Sequence, residues 1–182
     1  EIIGEFDGEE KIYSCPDSWD DITIEQAIRI ASIDVYEDMT EYEYFVEIMY
    51  LLCGMEEDEA YALSPSQYEE IQKWISFHLT EIKTNKFPES LIVDDEEFFL
   101  MSDFSKLTNG EIISLKMIIQ KNDGALVRAL PELLCVFLRK KKENGKLESF
   151  RNSFMERAER FKKVKIVDIN TMTLFFLDGK KE

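Results

Sequence analysis

The sequence predicts an α+β protein that is mainly α-helical, with one or two small β-hairpins. A chain of 182 residues is long enough to bury one substantial core. Hydrophobic residues make up 45% of it, including thirteen Phe and seven Tyr, which is too many for a disordered chain. Apolar residues recur at helical spacing, and capping signals stand at several of the predicted helix starts. We therefore expect residues 1–182 to fold as a single domain with an aromatic-rich core.

The N-terminal residues favour a β-hairpin followed by a helix. Asp7-Gly8 lies between two apolar stretches within residues 1–14, and Asp-Gly is a hairpin turn signal. Thr23-Ile-Glu-Gln26 then has the form of a capping box, which predicts a helix from about Thr23 to Val35.

Three more helices are predicted in the first half of the chain. Thr40 opens a largely apolar helix that Gly54 ends. Residues 56–63 form a short acidic stretch with helical character. Ser64-Pro65-Ser66-Gln67 combines an N-cap, a proline at the first helical position and a capping Gln, and it predicts a helix that ends near Lys83.

A second hairpin and a capped helix are predicted in the middle of the chain. Leu91–Val93 and Phe98–Met101 are β-branched and aromatic stretches that flank the acidic turn 94–97. Thr108-Asn-Gly-Glu111 is another capping box, and it predicts a helix that ends near Lys121.

The last third of the chain is predicted to be helical, with a tail at its end. Residues 125–142 form a long apolar helix in which Pro131 either makes a kink or lies in the first turn of a later start. A polar helix over about 147–164 follows. The tail 166–182 contains a stretch, residues 166–177, whose periodicity fits a strand and a short helix equally.

One local pattern occurs twice. Trp19-x-x-Ile22-Thr23-x-x-Gln26 and Phe104-x-x-Leu107-Thr108-x-x-Glu111 share an aromatic residue, an apolar residue, a Thr cap and a capping acid or amide. We interpret it as one way of leaving a strand and entering a helix that is used twice, because sustained self-similarity at a fixed period, the sign of a duplication, is absent.

The charges separate along the chain. The net charge is −16, yet residues 139–165 carry eleven Lys/Arg and four Asp/Glu, while residues 1–138 carry nine Lys/Arg and thirty-one Asp/Glu. This pattern predicts an acidic body with one basic helical segment, 139–165. Such a molecule repels nucleic acid over most of its surface and attracts nucleic acid or an acidic protein face at one place.

The cysteines indicate neither a disulfide framework nor a zinc site. Cys15, Cys53 and Cys135 are odd in number and far apart, and none has a partner at metal-ligand spacing. We expect Cys53 and Cys135 to be small buried hydrophobes in a reducing compartment. No apolar run approaches the length of a membrane span, and no secretory signal pattern is present, so we expect a soluble protein.

The sequence predicts no enzyme, no cofactor and no metal site. His78 is the only histidine, and we expect it to be packed or half-exposed on a helix. The acidic runs at Asp17 to Asp21, Glu56 to Glu59 and Asp94 to Glu97 lack a converging Lys or a Ca²⁺-loop spacing, so solvated turns and helix starts explain them better. Neither Gly-rich phosphate-binding pattern occurs.

The basic segment permits two interpretations. Closely spaced cations suit phosphate or an acidic partner, which makes the following residues candidate contacts: Arg139, Lys140, Lys141, Lys142, Arg151, Arg157, Arg160, Lys162 and Lys163. The interpretation we favour is a helix that packs Phe150, Phe154, Ala158 and Phe161 inward and turns its cations, Arg151, Arg157, Arg160 and Lys162, outward. The acidic body then supplies their counter-charges.

Three segments resemble a group of small virion and morphogenesis proteins of tailed bacteriophages, including crAss-like phages. They are Ser18-Trp19-Asp-Asp-Ile-Thr-Ile-Glu-Gln26, the stretch Phe98-Phe99-Leu100-x-x-Asp103-Phe104-x-x-Leu107-Thr108-Asn-Gly-Glu111, and Phe175-Phe176-Leu177. The resemblance implies a non-enzymatic protein at the portal or tail, or one packaged as cargo. It implies no catalytic residues.

We therefore expect a structural or assembly protein that contacts other phage proteins, possesses no membrane segment, and is found in the virion or in the host cytoplasm during assembly. Self-association into a homo-oligomer is compatible with this hypothesis. Two alternatives are a nucleic-acid-associated protein that binds through residues 139–165 and a tail assembly chaperone that is absent from the virion.

Overall fold

The chain is described here from a computed structural model that covers residues 2–6, 9–33, 38–82, 89–101 and 103–169. It is mainly helical, with one two-stranded and one three-stranded antiparallel sheet, which confirms the predicted α+β class. The chain divides into two compact units. The first unit is residues 1–22 with 26–83, and the second unit is residues 23–25 with 84–182. That the two units fold together as one domain stays a prediction.

The first unit begins with the predicted hairpin. Strand β1 (Ile2–Phe6) pairs antiparallel with β2 (Glu9–Tyr13), with Ile2 opposite Tyr13 and Phe6 opposite Glu9. The Asp7-Gly8 turn lies outside the described residues. A 3-10 helix, Trp19–Asp21, follows, and the indole Nε1 of Trp19 donates a hydrogen bond to the Thr80 carbonyl at 3.1 Å.

Four helices follow, and three of them, the ones that begin at Ile24, Glu41 and Pro65, start where capping signals predicted. They are α1 (Ile24–Ile30), α2 (Glu41–Cys53), α3 (Glu57–Ala62) and α4 (Pro65–Ile75). Thr40 caps α2 reciprocally: its hydroxyl accepts from the Glu43 amide at 3.2 Å, and its own amide donates to the Glu43 carboxylate at 2.7 Å. Ser64 caps α4 in the same manner. The predicted end of α1 near Val35 is wrong, because the helix stops at Ile30 and residues 31–33 are not helical. Val35 itself lies outside the described residues.

The predicted end of α4 near Lys83 is wrong. The helix stops at Ile75 and tightens into a 3-10 helix, Ser76–Leu79. The Thr80 amide and hydroxyl both bond the Phe77 carbonyl, at 2.9 and 2.6 Å, so local hydrogen bonds end the helix there.

The core of the first unit is built on α2 and α4. The buried residues of α2 include Phe45, Ile48, Met49 and Leu52, a spacing that keeps them on one face of the helix. From α4, Ile71 and Ile75 are fully buried. Burying each of these side chains stabilises the unit by about 1.5–3 kcal/mol, so packing rather than helix propensity fixes these elements.

The second unit contains the three-stranded sheet. Strand β3 (Ser90–Val93) pairs antiparallel with β4 (Glu96–Leu100), and β4 pairs on its other side with the short strand β5 (Leu138–Arg139). The predicted hairpin is confirmed, but its turn is only Asp94-Asp95. Both residues have positive φ, 50° and 63°, which Asp tolerates and two-residue hairpin turns require.

Three helices complete the second unit: α5 (Asn109–Lys121), α6 (Leu126–Phe137) and α7 (Phe154–Phe161). The Thr108–Glu111 capping box starts α5 as predicted. Pro131 lies inside α6, so the alternative of a later helix start is wrong. The apolar helix predicted to reach residue 142 ends at Phe137, because the next two residues join the sheet.

The predicted helix over 147–164 is also partly wrong. Residues 140–148 turn back on themselves: Lys141 bridges to Leu147, and the Glu148 amide donates to the Lys140 carbonyl at 3.0 Å. Ser153, at φ 47°, interrupts helical geometry directly before α7. Residues 166–169 are helical, and residues 170–182 lie outside the described part of the chain.

The repeated sequence pattern has a structural counterpart. The 3-10 helix Trp19–Asp21 precedes α1, and a second 3-10 helix, Phe104–Lys106, precedes α5. In each case an apolar residue and a Thr separate the 3-10 helix from the α-helix. The two sequence copies thus encode the same local route into a helix.

Candidate functional site

The basic segment 139–165, which was predicted to be helical, is helical only in part. It consists of the end of β5, the turn over 140–148, α7 and the residues that follow α7. Its cations therefore lie on different elements of the second unit, and each has its own surroundings.

Arg139 is buried rather than presented to a partner. Its Nη2 lies 2.6 Å from Oε1 of Glu111, and the two side chains are 8% and 7% exposed. Its Nε donates to the Val136 carbonyl at 2.8 Å. Burial alone would raise the pKa of Glu111, but hydrogen bonds from Thr108 and the Arg139 guanidinium outweigh that effect and hold the pKa below its usual value.

Arg157 is buried as well, so its predicted outward orientation is wrong. Its Nη1 lies 2.6 Å from Oε1 of Glu148, and its Nη2 donates to the carbonyls of Phe150 and, at 3.4 Å, of Cys135. The guanidinium thus connects α7 to α6 and to the turn before α7. Arg157 is 2% exposed, which leaves it no surface for a phosphate contact.

Arg160 and Lys140 share carboxylates of the β3–β4 hairpin. Arg160 lies 2.9 Å from Asp94 Oδ2, donates to the Val93 carbonyl at 2.6 Å and also bonds Glu96. Lys140 pairs with the other oxygen of Glu96. Lys140 and Arg160 lower the pKa of Glu96, and Glu96 in turn raises the pKa of Arg160.

The other candidate cations are more exposed. Lys162 pairs with Glu159 at 2.8 Å, one turn away on the same face. Lys141 lies 3.5 Å from the centroid of the Phe99 ring, and Arg151 lies 5.5 Å from that of Phe150. Lys142 and Lys163 are exposed. Within the described residues, no ion pair is observed for Lys141, Lys142, Arg151 or Lys163.

The sequence did not identify the acidic partners of these cations. Glu111, Glu96, Asp94 and Glu148 all lie in the second unit. Glu111 was recognisable as a helix cap, but no local signal connects it to Arg139, 28 positions along the chain. The predicted internal counter-charges therefore exist, and they come from the hairpin, from α5 and from the turn before α7.

Two of the three carboxylate runs, 56–59 and 94–97, contribute ion pairs. Across the described ranges, no cluster of three or more His, Cys, Asp or Glu side chains has a geometry that could hold a metal ion. Glu59, from the run at 56–59, pairs with Lys11 of β2, and hydrogen bonds from Lys11 and Tyr13 lower the pKa of Glu59 to about 2. Among the same residues, no helix has the length and apolar composition needed to cross a bilayer.

His78 is half-buried in the 3-10 helix Ser76–Leu79. Its Nδ1 lies 2.5 Å from the Ile75 carbonyl, and its ring packs beside Tyr44 and Phe45 at centroid distances of 5.7 and 5.8 Å. These are the surroundings of a packed histidine.

Two of the three cysteines are bonded to each other, which corrects the sequence-based expectation. Cys15 and Cys53 form a disulfide with Cα atoms 4.6 Å apart, so Cys53 is not a simple buried hydrophobe. Cysteine usage therefore no longer argues for a reducing compartment. Cys135 is free and buried as predicted, and burial raises the pKa of its thiol to about 12.

Each unit has surface clefts. In the first unit, a cleft of about 680 Å³ is lined mainly by α2 and α3 and includes Tyr50, Tyr61 and Glu47. In the second unit, a cleft of about 490 Å³ surrounds the Arg160–Glu96 network. A second groove of about 490 Å³ in that unit, which we call the α5 groove, is predominantly apolar and is lined by Ser114, Met117, Ile118, Lys121, Glu132, Phe150, Arg151 and Phe154.

The chain was compared with sequence models of protein families, with curated proteins and with solved structures, and none of the three comparisons gave a match.

Proposed function

We propose that this chain is a non-enzymatic protein that works by binding other proteins. Following the sequence resemblance, we propose that it is a structural or assembly component of a tailed phage particle, at the portal or tail or packaged as cargo.

The observation that carries this proposal is the apolar surface of α5. Ile113 and Met117 are 57% and 64% exposed and lie one turn apart, and Ile112 beside them is 38% exposed. Met117 also lines the α5 groove. Neighbouring exposed apolar side chains on a helix are typical of a surface that is buried against a partner.

The charge distribution supports a protein partner over nucleic acid. The first unit carries 21 Asp/Glu and four Lys/Arg, while the second carries 17 Asp/Glu and 18 Lys/Arg. The first unit thus has a net charge of −17, which repels a phosphate backbone. In the second unit, the cations at 139, 140, 157, 160 and 162 are already paired with carboxylates.

The test is co-purification. The chain is co-expressed with the proteins that its neighbouring genes encode, and particles purified from the same source are analysed by mass spectrometry. We expect the chain to be retained with at least one of these proteins and to be present in particles. Retention with a tail protein and absence from particles would instead identify an assembly chaperone.

The nucleic-acid alternative is tested with the same preparation. Lys142 and Lys163 are exposed, and among the described residues neither has an observed ion pair, so changing both to Gln removes two cations without breaking an ion pair of the fold. DNA binding that weakens with salt and is lost in this variant, together with no retention by particle proteins, would overturn the proposal.

A further inference from the structure

The cleft of about 680 Å³ in the first unit, which we call the Tyr50 cleft, combines carboxylates with aromatic rings. From α2 it is lined by Glu43, Glu47 and Tyr50, whose spacing of four and three residues places them on one face of that helix. From α3 it is lined by Glu57 and Tyr61, which are also four residues apart. Two helices therefore present acidic and aromatic side chains to the same cleft.

The two tyrosines of the Tyr50 cleft are half-exposed, each at 50%. Tyr61 packs beside Tyr42 with ring centroids 5.4 Å apart. Among the described residues, no ring or cation contact is observed for Tyr50. An exposed aromatic ring attracts a cation to its electron-rich face, and nearby carboxylates attract the same cation.

The charge of the Tyr50 cleft is mainly negative. Its charged lining residues within the described ranges are Glu43, Glu47, Glu56, Glu57 and a single cation, Arg29. Glu43 already bonds Thr40 at the start of α2. Glu47 and Glu57 are exposed, and in the described part of the chain neither side chain has an observed ion pair or hydrogen bond. The net charge of −17 on the first unit adds a potential of the same sign.

We propose that the Tyr50 cleft binds a basic segment of a partner protein, one with neighbouring Lys or Arg side chains. Their cationic groups meet Glu47, Glu57 and the ring of Tyr50. Their alkyl stems pack on the apolar part of the lining, which includes Ile33 and Leu51. This inference rests on the proposed function, since it names the chemistry of one surface that a protein-binding role requires.

The spread of the carboxylates favours a polypeptide over a metal ion. No group of three or more His, Cys, Asp or Glu side chains in the described ranges converges closely enough to hold a metal. Carboxylates that are distributed over two helices suit cations that are themselves distributed along a chain.

The test uses the full-length protein and two short synthetic peptides. In one peptide Arg alternates with Ser, and in the other Gln replaces every Arg. Binding is measured by fluorescence anisotropy at about 0.15 M salt, where a Debye length of about 8 Å screens distant charges of the acidic unit. We expect the Arg peptide to bind at least about tenfold more tightly than the Gln peptide.

Charge-matched variants locate the binding surface. Changing Glu47 and Glu57 together to Gln should weaken the Arg peptide at least about fivefold. The control changes Glu69 and Glu70 together to Gln. These two residues are exposed on α4 and do not line the Tyr50 cleft, so the control has the same net charge and should bind within about twofold of the unchanged chain.

The aromatic contribution is tested at position 50. Tyr50→Leu removes the ring and should weaken the Arg peptide about threefold or more, whereas Tyr50→Phe retains the ring and should bind within about twofold of the unchanged chain. Circular dichroism and urea unfolding of every variant verify that the fold is retained.

Equal losses in the two carboxylate variants would overturn the inference, because the attraction would then belong to the whole acidic unit. Unchanged binding by Tyr50→Leu would overturn it as well. Spermine that competes with the same affinity as the Arg peptide would identify a small polyamine as the occupant. Self-association that is lost when Glu47 and Glu57 are changed would identify a second copy. If the Arg peptide fails to bind while co-purification is intact, only this inference fails, whereas loss of co-purification removes the proposed function.

Discussion

Changing Glu111 to Gln should destabilise the second unit by about 3 kcal/mol. The side chains of Glu111 and Arg139 are 7% and 8% exposed, so removing the carboxylate charge leaves a buried guanidinium without compensation. Breaking a buried pair in this way costs about 3–5 kcal/mol, and the lower end applies because the Gln oxygen still accepts hydrogen bonds from Thr108.

The control is Glu159→Gln. Glu159 pairs with Lys162, but their side chains are 64% and 34% exposed, so losing this pair should cost at most about 0.5 kcal/mol. A third variant, Glu111→Met with Arg139→Met, removes both buried charges and should be more stable than Glu111→Gln.

The assay must report on the second unit. Both tryptophans, Trp19 and Trp74, lie in the first unit, so their fluorescence follows the wrong part of the chain. Hydrogen exchange measured by mass spectrometry on peptides from α5 and α6 gives the local free energy of unfolding directly.

The pH dependence gives an independent check. The folded pKa of Glu111 is lowered, so its stabilising contribution is present above its unfolded pKa near 4.5 and is lost as pH falls below that value. The difference between the unchanged chain and Glu111→Gln should therefore shrink on acidification. Equal losses in Glu111→Gln and Glu159→Gln at neutral pH would refute the reasoning.

Four further outcomes test the first unit. The pKa of Glu59 is lowered to about 2, so the stability that Glu59 contributes to the first unit is complete above pH 5 and is lost as the pH falls towards 2. In the Lys11→Met variant, the stability of the unit should depend less on pH over this range. Acid unfolding followed by tryptophan fluorescence measures the difference. Alkylation of the denatured, unreduced chain should label one cysteine. Cys15→Ser should lower the free energy of unfolding of the unit in urea by up to about 4 kcal/mol, because the disulfide closes a loop of 38 residues. Gly54→Ala should cost about 1 kcal/mol in the same urea titration although nothing lies within 4 Å of the new Cβ, because φ is 70°.

Local signals predicted the helix starts and the hairpins. The cap residues Thr40, Ser64 and Thr108 act through hydrogen bonds to amides three residues away, so the sequence contains the whole interaction. The turn at Asp94-Asp95 is equally local, and only its length was overestimated.

The features that were missed depend on distant residues. Leu138 and Arg139 directly follow a helix in the sequence, yet they form a strand because they pair with the free edge of β4. Arg157 was placed outward by its helical spacing, but Glu148 and the Phe150 carbonyl draw it inward. The Cys15–Cys53 bond joins residues 38 positions apart. Nothing in a periodicity or capping argument reports on such contacts.

The direct passage from α6 into β5 has a consequence for tolerance to length changes. Phe137 ends the helix and Leu138 begins the strand with no connecting residue, and the pairing of Arg139 with Phe99 fixes the register. Because side chains alternate along a strand, one residue inserted after Phe137 would turn Arg139 to the opposite face, away from Glu111. An insertion beside Gly145, in the exposed turn, disturbs no such alternation, so natural or engineered length variation in the second unit belongs at that turn.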